Sequence, residues 1–401
     1  MHFYTLHDFD FTGKRVLLRA DFNVPVDGKG RVQDEKKIRD TLPTIKYLLS
    51  QHCRLIIASH LGRPEGKTVE GLRLTHVAKI LERMLRRKIV KLDYTTGQLV
   101  EQGIRRMKPG DIVLLENVQF EPGETHNEES YARTLAGYCD YFVLDAFGQS
   151  HRDYASISGV QKFVPSCAGL LVEKELQELS VLEHADKPFV AIIGGAKHDK
   201  ITVIEHLVHK VDTIIVGGIL ANTFLKASGI DIGNSKFDAE SVEDAKRLLR
   251  EHRGKLVLPS DAVIADRLDA KARVRQASVQ QIPKKWMIAD IGKQSIAQYK
   301  DVLKYAHTII WAGPVGMFEV RKFEKGTKEL ALFLAKLKSI RIVCGGDSSA
   351  AIDKVKLAKK MTHVSSGGGA ALDFISGKAM PGILALEQNY NKFRVSVKLA
   401  H

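Results

Sequence analysis

Ten short apolar runs recur along the 401-residue chain, and the stretches between them carry helical spacing. They are RVLLRADF from Arg15, LIIAS from Leu55, IVLLEN from Ile112, YFVLDAF from Tyr141, FVAII from Phe189, TIIV from Thr213, LVLPSD from Leu256, HTIIWAGP from His307, RIVCGG from Arg341 and THVSSGGG from Thr362. Near-continuous apolar runs of strand length that alternate with helices belong to parallel sheets covered on both faces. The expected class is α/β. No repeat of ~20 to 50 residues is visible, which excludes solenoids and propellers. Between Ser166 and Ala185 the leucines of CAGLLVEKELQELSVLEH are spaced for one long helix, expected to join two domains. The first domain would then span residues 1–165, the joining helix 166–185, and the second domain would start at 186.

Composition narrows the ligand class. Sixty-one Lys and Arg against 47 Asp and Glu leave a net charge of +14, which favours polyanionic partners: nucleic acid, anionic lipid or small phosphorylated molecules. The basic runs Arg83 to Lys91 and Lys356 to Lys360 are interleaved with apolar residues at helical spacing, as solvated helix faces are. With no recognised binding motif and no basic stripe interleaved with aromatics, a nucleic-acid partner is not expected. No stretch reaches the ~20 apolar residues of a spanning helix, so no membrane partner is expected either. The start, MHFYTLHDFDFTGKRVLL, lacks a basic segment followed by an apolar one, and a cytoplasmic location is expected. Cys53, Cys139, Cys167 and Cys344 lie far apart without metal-ligand spacing and read as reduced, buried thiols.

The two halves differ in the residues just beyond their strands, which is where open α/β sheets bind ligands. In the first half these residues are polar: Asp21 and Asn23, His60 and Arg63, Gln119, then His151 and Arg152. Two His-Arg loops read as cations converging on a small phosphorylated acid, since guanidinium forks match phosphate and carboxylate. Asp21 and Asn23 either accept hydrogen bonds from substrate hydroxyls or cap a turn before Pro25. In the second half the post-strand residues are glycines: Gly194-Gly195, Gly217-Gly218, Gly345-Gly346 and Gly367-Gly368-Gly369. A strand, glycines and a helix start let backbone N–H groups approach an anion, and four such turns point to a nucleotide polyphosphate. Lys197 and Lys200 stand where phosphate charge would be neutralised. Asp347 either holds Mg²⁺ on phosphate oxygens or caps the next helix. Walker and GxGxxG loops are absent. The DAFG and HRD pieces at 145–148 and 151–153 run in the wrong order for a protein kinase.

A nucleotide half and a phospho-acid half imply phosphoryl transfer. The blocks RADFNVP, SHLGRPEG, LLENVQF, DAFGQSHR, AGLLVEKEL, PFVAIIGGAK, ANTFLKASGIDIGNS, WMIADIG, GPVGMFE, GGDSS and SSGGGAALDFISGK resemble the phosphoglycerate kinase family, in family order from residue 15 to about residue 383. The resemblance implies two Rossmann-like parallel-sheet domains joined by a helix with a cleft between them. The first would bind 3-phosphoglycerate or 1,3-bisphosphoglycerate; the second, 186–382, would bind ATP or ADP with Mg²⁺. Residues 383–401 would return to the first domain. It also implies a hinge-bending enzyme, working as a monomer.

Carried over residue by residue, the resemblance puts Asp21, Asn23, Lys37, His60, Arg63, Gln119, His151 and Arg152 at the acid substrate. Gly194, Ala196, Lys197, Lys200, Gly218, Pro314, Glu319, Gly345, Gly346, Asp347 and Ser348 fall on the nucleotide side, with Glu319 at the ribose and Asp347 as the metal partner. Lys37, Lys197, Gly346 and Gly368 are the catalytic candidates. Four departures from the family pattern stand out. Lys37 and Gln119 replace arginines, Ala312 replaces the Asn of WNGP, and GGAKHDK is one residue shorter than GGAKVSDK. They motivate an alternative expectation, a catalytically weakened or inactive member that binds phospho-ligands for regulation.

Overall fold

The computed structural model describes residues 2–28, 30–195 and 200–394. The chain divides into two compact units, one of residues 1–177 with 379–401 and one of residues 178–378.

In the first unit β1 (Arg15–Ala20), β2 (Arg54–Ala58), β3 (Val90–Lys91), β4 (Ile112–Leu114), β5 (Tyr141–Asp145) and β6 (Ser166–Ala168) form one sheet in the order β3-β4-β2-β1-β5-β6, every pair parallel. From β1 the chain turns one way to β2, and from β5 the other way to β6. The crevice at the carboxyl ends of β1 and β5 is therefore the switch point where such sheets bind ligands. Helix Lys36–Ser50 packs Ile38, Ile45, Leu48 and Leu49 into the core beneath the sheet, with Phe11, Phe22 and Leu55. That apolar face fixes the helix so that Lys37 lies in its first turn.

In the second unit β7 (Phe189–Ile193), β8 (Thr213–Val216) and β9 (Leu256–Val257) lie on one side of a parallel sheet. After β10 (Asp261–Ala265), β11 (Val274–Ser278) and β12 (Met287–Ile291), the chain returns as β13 (Thr308–Ala312), β14 (Ile340–Cys344) and β15 (His363–Val364). The order is β15-β14-β13-β7-β8-β9, with the switch point between β13 and β7. Trp311, Tyr299 and Leu330 centre its core. The order β11-β10-β12 is a separate antiparallel sheet, which the expectation of parallel sheets did not contain. Its strand VRQAS is largely exposed and carries no apolar periodicity.

The helix expected over 166–185 is shorter. Ser166–Ala168 is instead the strand β6, the α-helix runs over Leu170–Ser180, and Val181–His184 is a 3₁₀ turn. Gly169 explains the switch: a Cβ there would lie 2.2 Å from Asp145 Oδ1, and that same oxygen accepts the Leu171 N–H at 2.9 Å to start the helix. The first three residues pair with the otherwise free edge of β5. The division between the units falls within this helix.

Candidate functional site

In the first unit the polar residues at the strand ends meet around Asp21. Its Oδ1 accepts the Asn23 N–H at 3.0 Å, and its Oδ2 pairs with Lys37 Nζ at 2.8 Å. Burial works against the ionised carboxyl, but Lys37 and His60 outweigh it and hold the pKa at about 2. Asn23 Oδ1 accepts the Gly62 N–H at 2.9 Å, which ties the loop after β1 to the loop after β2. Gln119, in the 3₁₀ turn Val118–Phe120, is buried; its carbonyl accepts the Gly66 N–H at 3.2 Å. The structure thus brings Asp21, Asn23, Lys37, His60 and Gln119 into one linked set of loops. Arg63 and Arg152 are exposed, and His151 is half-buried on the segment after β5.

His60 is not the cation expected from sequence. It is 2% exposed, and burial pushes its imidazole down to about 3 despite the attraction of Asp21. Beneath it lies a buried group that sequence reasoning passed over. Arg19, fully buried, donates from Nε to Ser156 Oγ at 2.6 Å, while Glu124 accepts the Ser156 N–H at 2.9 Å and its hydroxyl at 2.6 Å. Arg19 Nη2 lies 3.9 Å from Glu124 Oε1 and 3.4 Å from His60 Nδ1. A signal was present: an arginine inside the apolar run RVLLRAD is a charge that the sheet buries, and buried charges need partners.

In the second unit the four glycine turns are not alike. At the switch point a Cβ on Gly194 would lie 2.2 Å from the Pro314 carbonyl oxygen, and one on Gly217 would lie 2.6 Å from Val315 Cγ1. The Gly194 and Gly195 N–H groups donate to Ala312 and Pro314 at 2.9 and 3.0 Å. These glycines let two loops cross. Gly346 and Gly369, which open the helices Gly346–Lys354 and Gly369–Ile375, have nothing within 4 Å of a built Cβ. A side chain at either would meet open space.

A cavity of ≈ 270 Å³ lies beside the crossing, walled by apolar side chains such as Leu268, Val279 and Val315, with Lys236, Glu319 and Asp347 among its polar residues. Gly218 and Pro314 line it too. Ser348 is buried, and its hydroxyl accepts the Gly313 N–H, which fixes the loop after β13. Asp290 accepts the N–H groups of Ile291 at 2.9 Å and Gly326 at 2.7 Å, and burial lifts its carboxyl to about 7. Lys200 opens the helix Lys200–Leu207 and is buried, and Gly345 (φ +93°) precedes the helix that Asp347 enters. Gly368 (φ +56°) precedes the seven-residue helix Gly369–Ile375. Ala196 and Lys197 lie outside the described residues.

Asp347 is exposed in the first helical turn, and no cluster of three or more His, Cys, Asp or Glu able to hold a metal occurs among the described residues. An exposed carboxylate in the first turn of a helix fits Mg²⁺, which keeps waters and binds through one or two carboxylates plus phosphates. It does not suit an all-protein metal cage. Among the described residues no helix is long and apolar enough to cross a membrane.

The profile describing phosphoglycerate kinase matches residues 6–378. The chain is 46% identical to the phosphoglycerate kinase of Pelotomaculum thermopropionicum over 387 residues, 95% of this chain and 98% of that protein. It is also 46% identical to that of Moorella thermoacetica over 389 residues, 96% and 99% of the two. Among solved structures it is similar to phosphoglycerate kinase from Coxiella burnetii, with TM-score 0.85, 38% identity and coverage of 96% and 99%. The Pyrococcus horikoshii phosphoglycerate kinase superposes with TM-score 0.87 at 30% identity, covering 97% of this chain and all of that one.

Proposed function

The chain belongs to the phosphoglycerate kinase family, and from that premise we propose how its residues share out the reaction. It is an enzyme of glycolysis that moves a phosphoryl group reversibly between 1,3-bisphosphoglycerate with ADP and 3-phosphoglycerate with ATP. The acid substrate is assigned to the loops around Asp21, with Lys37, Arg63 and Arg152 supplying charge, and Asn23, His60, Gln119 and His151 supplying hydrogen bonds. The nucleotide is assigned to the second unit. Its base would occupy the ≈ 270 Å³ cavity, its ribose would reach Glu319, and its phosphates would meet the backbone at Gly346 and Gly368, where no side chain stands in the way. Mg²⁺ would arrive with the nucleotide, held by Asp347, and would neutralise phosphate charge.

The attacking group is the carboxylate of 3-phosphoglycerate, which with a reference pKa near ~3.5 is ionised at pH 7 and needs no general base. The protein's task is to hold two anions at bonding distance and to spread positive charge over the transferring oxygens. Lys37 can do both at once, because an ammonium has three donors and Asp21 occupies one. We take the working unit to be a single chain in the cytoplasm.

The observation that carries this reading is the Asp21–Lys37 pair beside a buried histidine at the carboxyl ends of the sheet, the place where such folds bind. The relatives are named phosphoglycerate kinases, which favours the active enzyme over the inactive phospho-ligand binder. A coupled assay tests it: purified protein should form ADP from ATP only when 3-phosphoglycerate and Mg²⁺ are both present. Nucleotide binding without such turnover would return the regulatory alternative.

A further inference from the structure

An arginine can only donate hydrogen bonds. Arg19 Nη2 lies 3.4 Å from His60 Nδ1, so that ring nitrogen must present its lone pair, and the imidazole proton must sit on Nε2. Arg19 cannot turn away. Its side chain is fully buried, its Nε is held by Ser156 Oγ at 2.6 Å, and Ser156 is held in turn by both oxygens of Glu124. Among the described residues no protein group bonds His60 Nε2.

We propose that Glu124, Ser156 and Arg19 form a positioning chain that holds His60 as the neutral imidazole with its proton on Nε2. The histidine then offers the acid substrate a hydrogen-bond donor, not a positive charge. This deepens the acid-substrate assignment above and rests on it. Burial opposes the imidazolium most, Arg19 from β1, Lys37 from the helix Lys36–Ser50 and Arg63 from its own loop oppose it too, and Asp21 after β1 is the one facing group that favours it. The positive charge at the acid substrate is thereby left to Lys37, Arg63 and Arg152, while His60 reads geometry. A hydroxyl or phosphate oxygen that can accept from Nε2–H is recognised, and a group that can only donate is rejected.

The test is long-range ¹H–¹⁵N correlation on the full chain labelled at histidine, with the His60 signals assigned by their loss in His60→Gln. The expected result is an unprotonated Nδ1 and a protonated Nε2, unchanged from pH 8 to pH 5. A protonated Nδ1, averaged shifts from two exchanging tautomers, or a midpoint between pH 6 and 7 would overturn the proposal. The chain itself is tested by Ser156→Ala, which should put the His60 ring into tautomer exchange while the other histidine signals stay in place, and should raise KM for 3-phosphoglycerate about five- to tenfold. Ser156→Thr keeps the hydroxyl and should restore both. A fixed tautomer in Ser156→Ala would remove Ser156 and Glu124 from the role. Addition of 3-phosphoglycerate to the wild-type protein separates the two levels. If the tautomer is fixed but Nε2–H does not shift on addition, the substrate assignment fails and the positioning chain stands.

Discussion

Asp21 and Asp145 are both buried and burial disfavours both carboxylates, yet their carboxyls shift in opposite directions because only one has a cation to outweigh it. Asp21 pairs with Lys37 and titrates at about 2, below the ~3.9 of an unfolded chain. The stability it contributes is present above pH 4 and is lost as pH falls toward 2, an effect of about 2 kcal/mol. Asp145 accepts only neutral donors, the N–H groups of Leu171 and Val172 and the Thr44 hydroxyl, and burial lifts it to about 7. Between pH 4 and 7 the folded chain therefore holds a proton that the unfolded chain has released, and stability declines as pH rises through that window. Asp145→Asn should make that decline shallower, with the buried Asp290 keeping its own share, and Lys37→Met should flatten the acid limb, both read from urea midpoints at stepped pH. A second prediction concerns Lys37 itself. An ammonium shared between Asp21 and a ligand lacks the planar fork that grips a carboxylate at two points. Lys37→Arg combined with Gln119→Arg should raise kcat/KM for 3-phosphoglycerate at least tenfold, since each charge-assisted hydrogen bond is worth about 1.5 to 3 kcal/mol; an unchanged value would mean that neither side chain reaches the substrate. In the sequence, RADFNVP left a turn and a ligand contact open for Asp21 and Asn23, and the structure contains the turn in full. The charge of His60 was not legible, because it depends first on the burial of the ring and then on Arg19 lying 3.4 Å away, 41 positions earlier in the chain.

Strands and their order show what pattern alone reveals at the element scale. All ten apolar runs contain strands, and for the eight that are interior, β1, β2, β4, β5, β7, β8, β13 and β14, the reason is that such a strand in a covered sheet must be apolar on both faces. Five strands have no run of their own: the edge strands β3 and β6, and the three strands β10, β11 and β12 of the antiparallel sheet. Glycine turns show the opposite limit. Four of them look equivalent as letters, and only coordinates separate glycines that let two loops cross from glycines that face open space. Gly194→Ala drives a methyl to 2.2 Å from the Pro314 carbonyl oxygen and should cost about 3 kcal/mol or more of stability. Gly346→Ala meets nothing within 4 Å and its φ is not positive, so stability should stay within about 0.5 kcal/mol. If the nucleotide phosphates lie on that amide, KM for ATP should rise in Gly346→Ala while KM for 3-phosphoglycerate does not. Melting curves and the two KM values decide it together; a destabilised Gly346→Ala with ordinary nucleotide kinetics would make this glycine a packing residue like Gly194.

The chain leaves the first unit at Gln177, builds the whole of the second, and returns at Ala379. The second unit is therefore an insertion, and the first is incomplete until the last helix, Pro381–Phe393, arrives. Asn389 on that helix is 2% exposed and closes the edge of the first sheet: its Oδ1 accepts the Ser166 N–H at 2.9 Å, and its Nδ2 donates to the Val164 carbonyl at 2.8 Å and to that of Gln161. Asn389→Ala takes this partner from the buried Ser166 N–H and Gln161 carbonyl, at about 1 to 3 kcal/mol each before relaxation, while the Val164 carbonyl keeps the Ser166 hydroxyl at 2.8 Å. A built-in probe separates the consequences. Both tryptophans, Trp286 and Trp311, belong to the second unit, so tryptophan fluorescence reports that unit while far-ultraviolet circular dichroism reports the whole chain. If each core holds its own unit together, Asn389→Ala should move part of the dichroism transition to lower denaturant and leave the fluorescence midpoint where it was. A parallel shift of both signals would mean that the units unfold as one cooperative body, and that the returning helix stabilises the entire molecule instead of the sheet it closes.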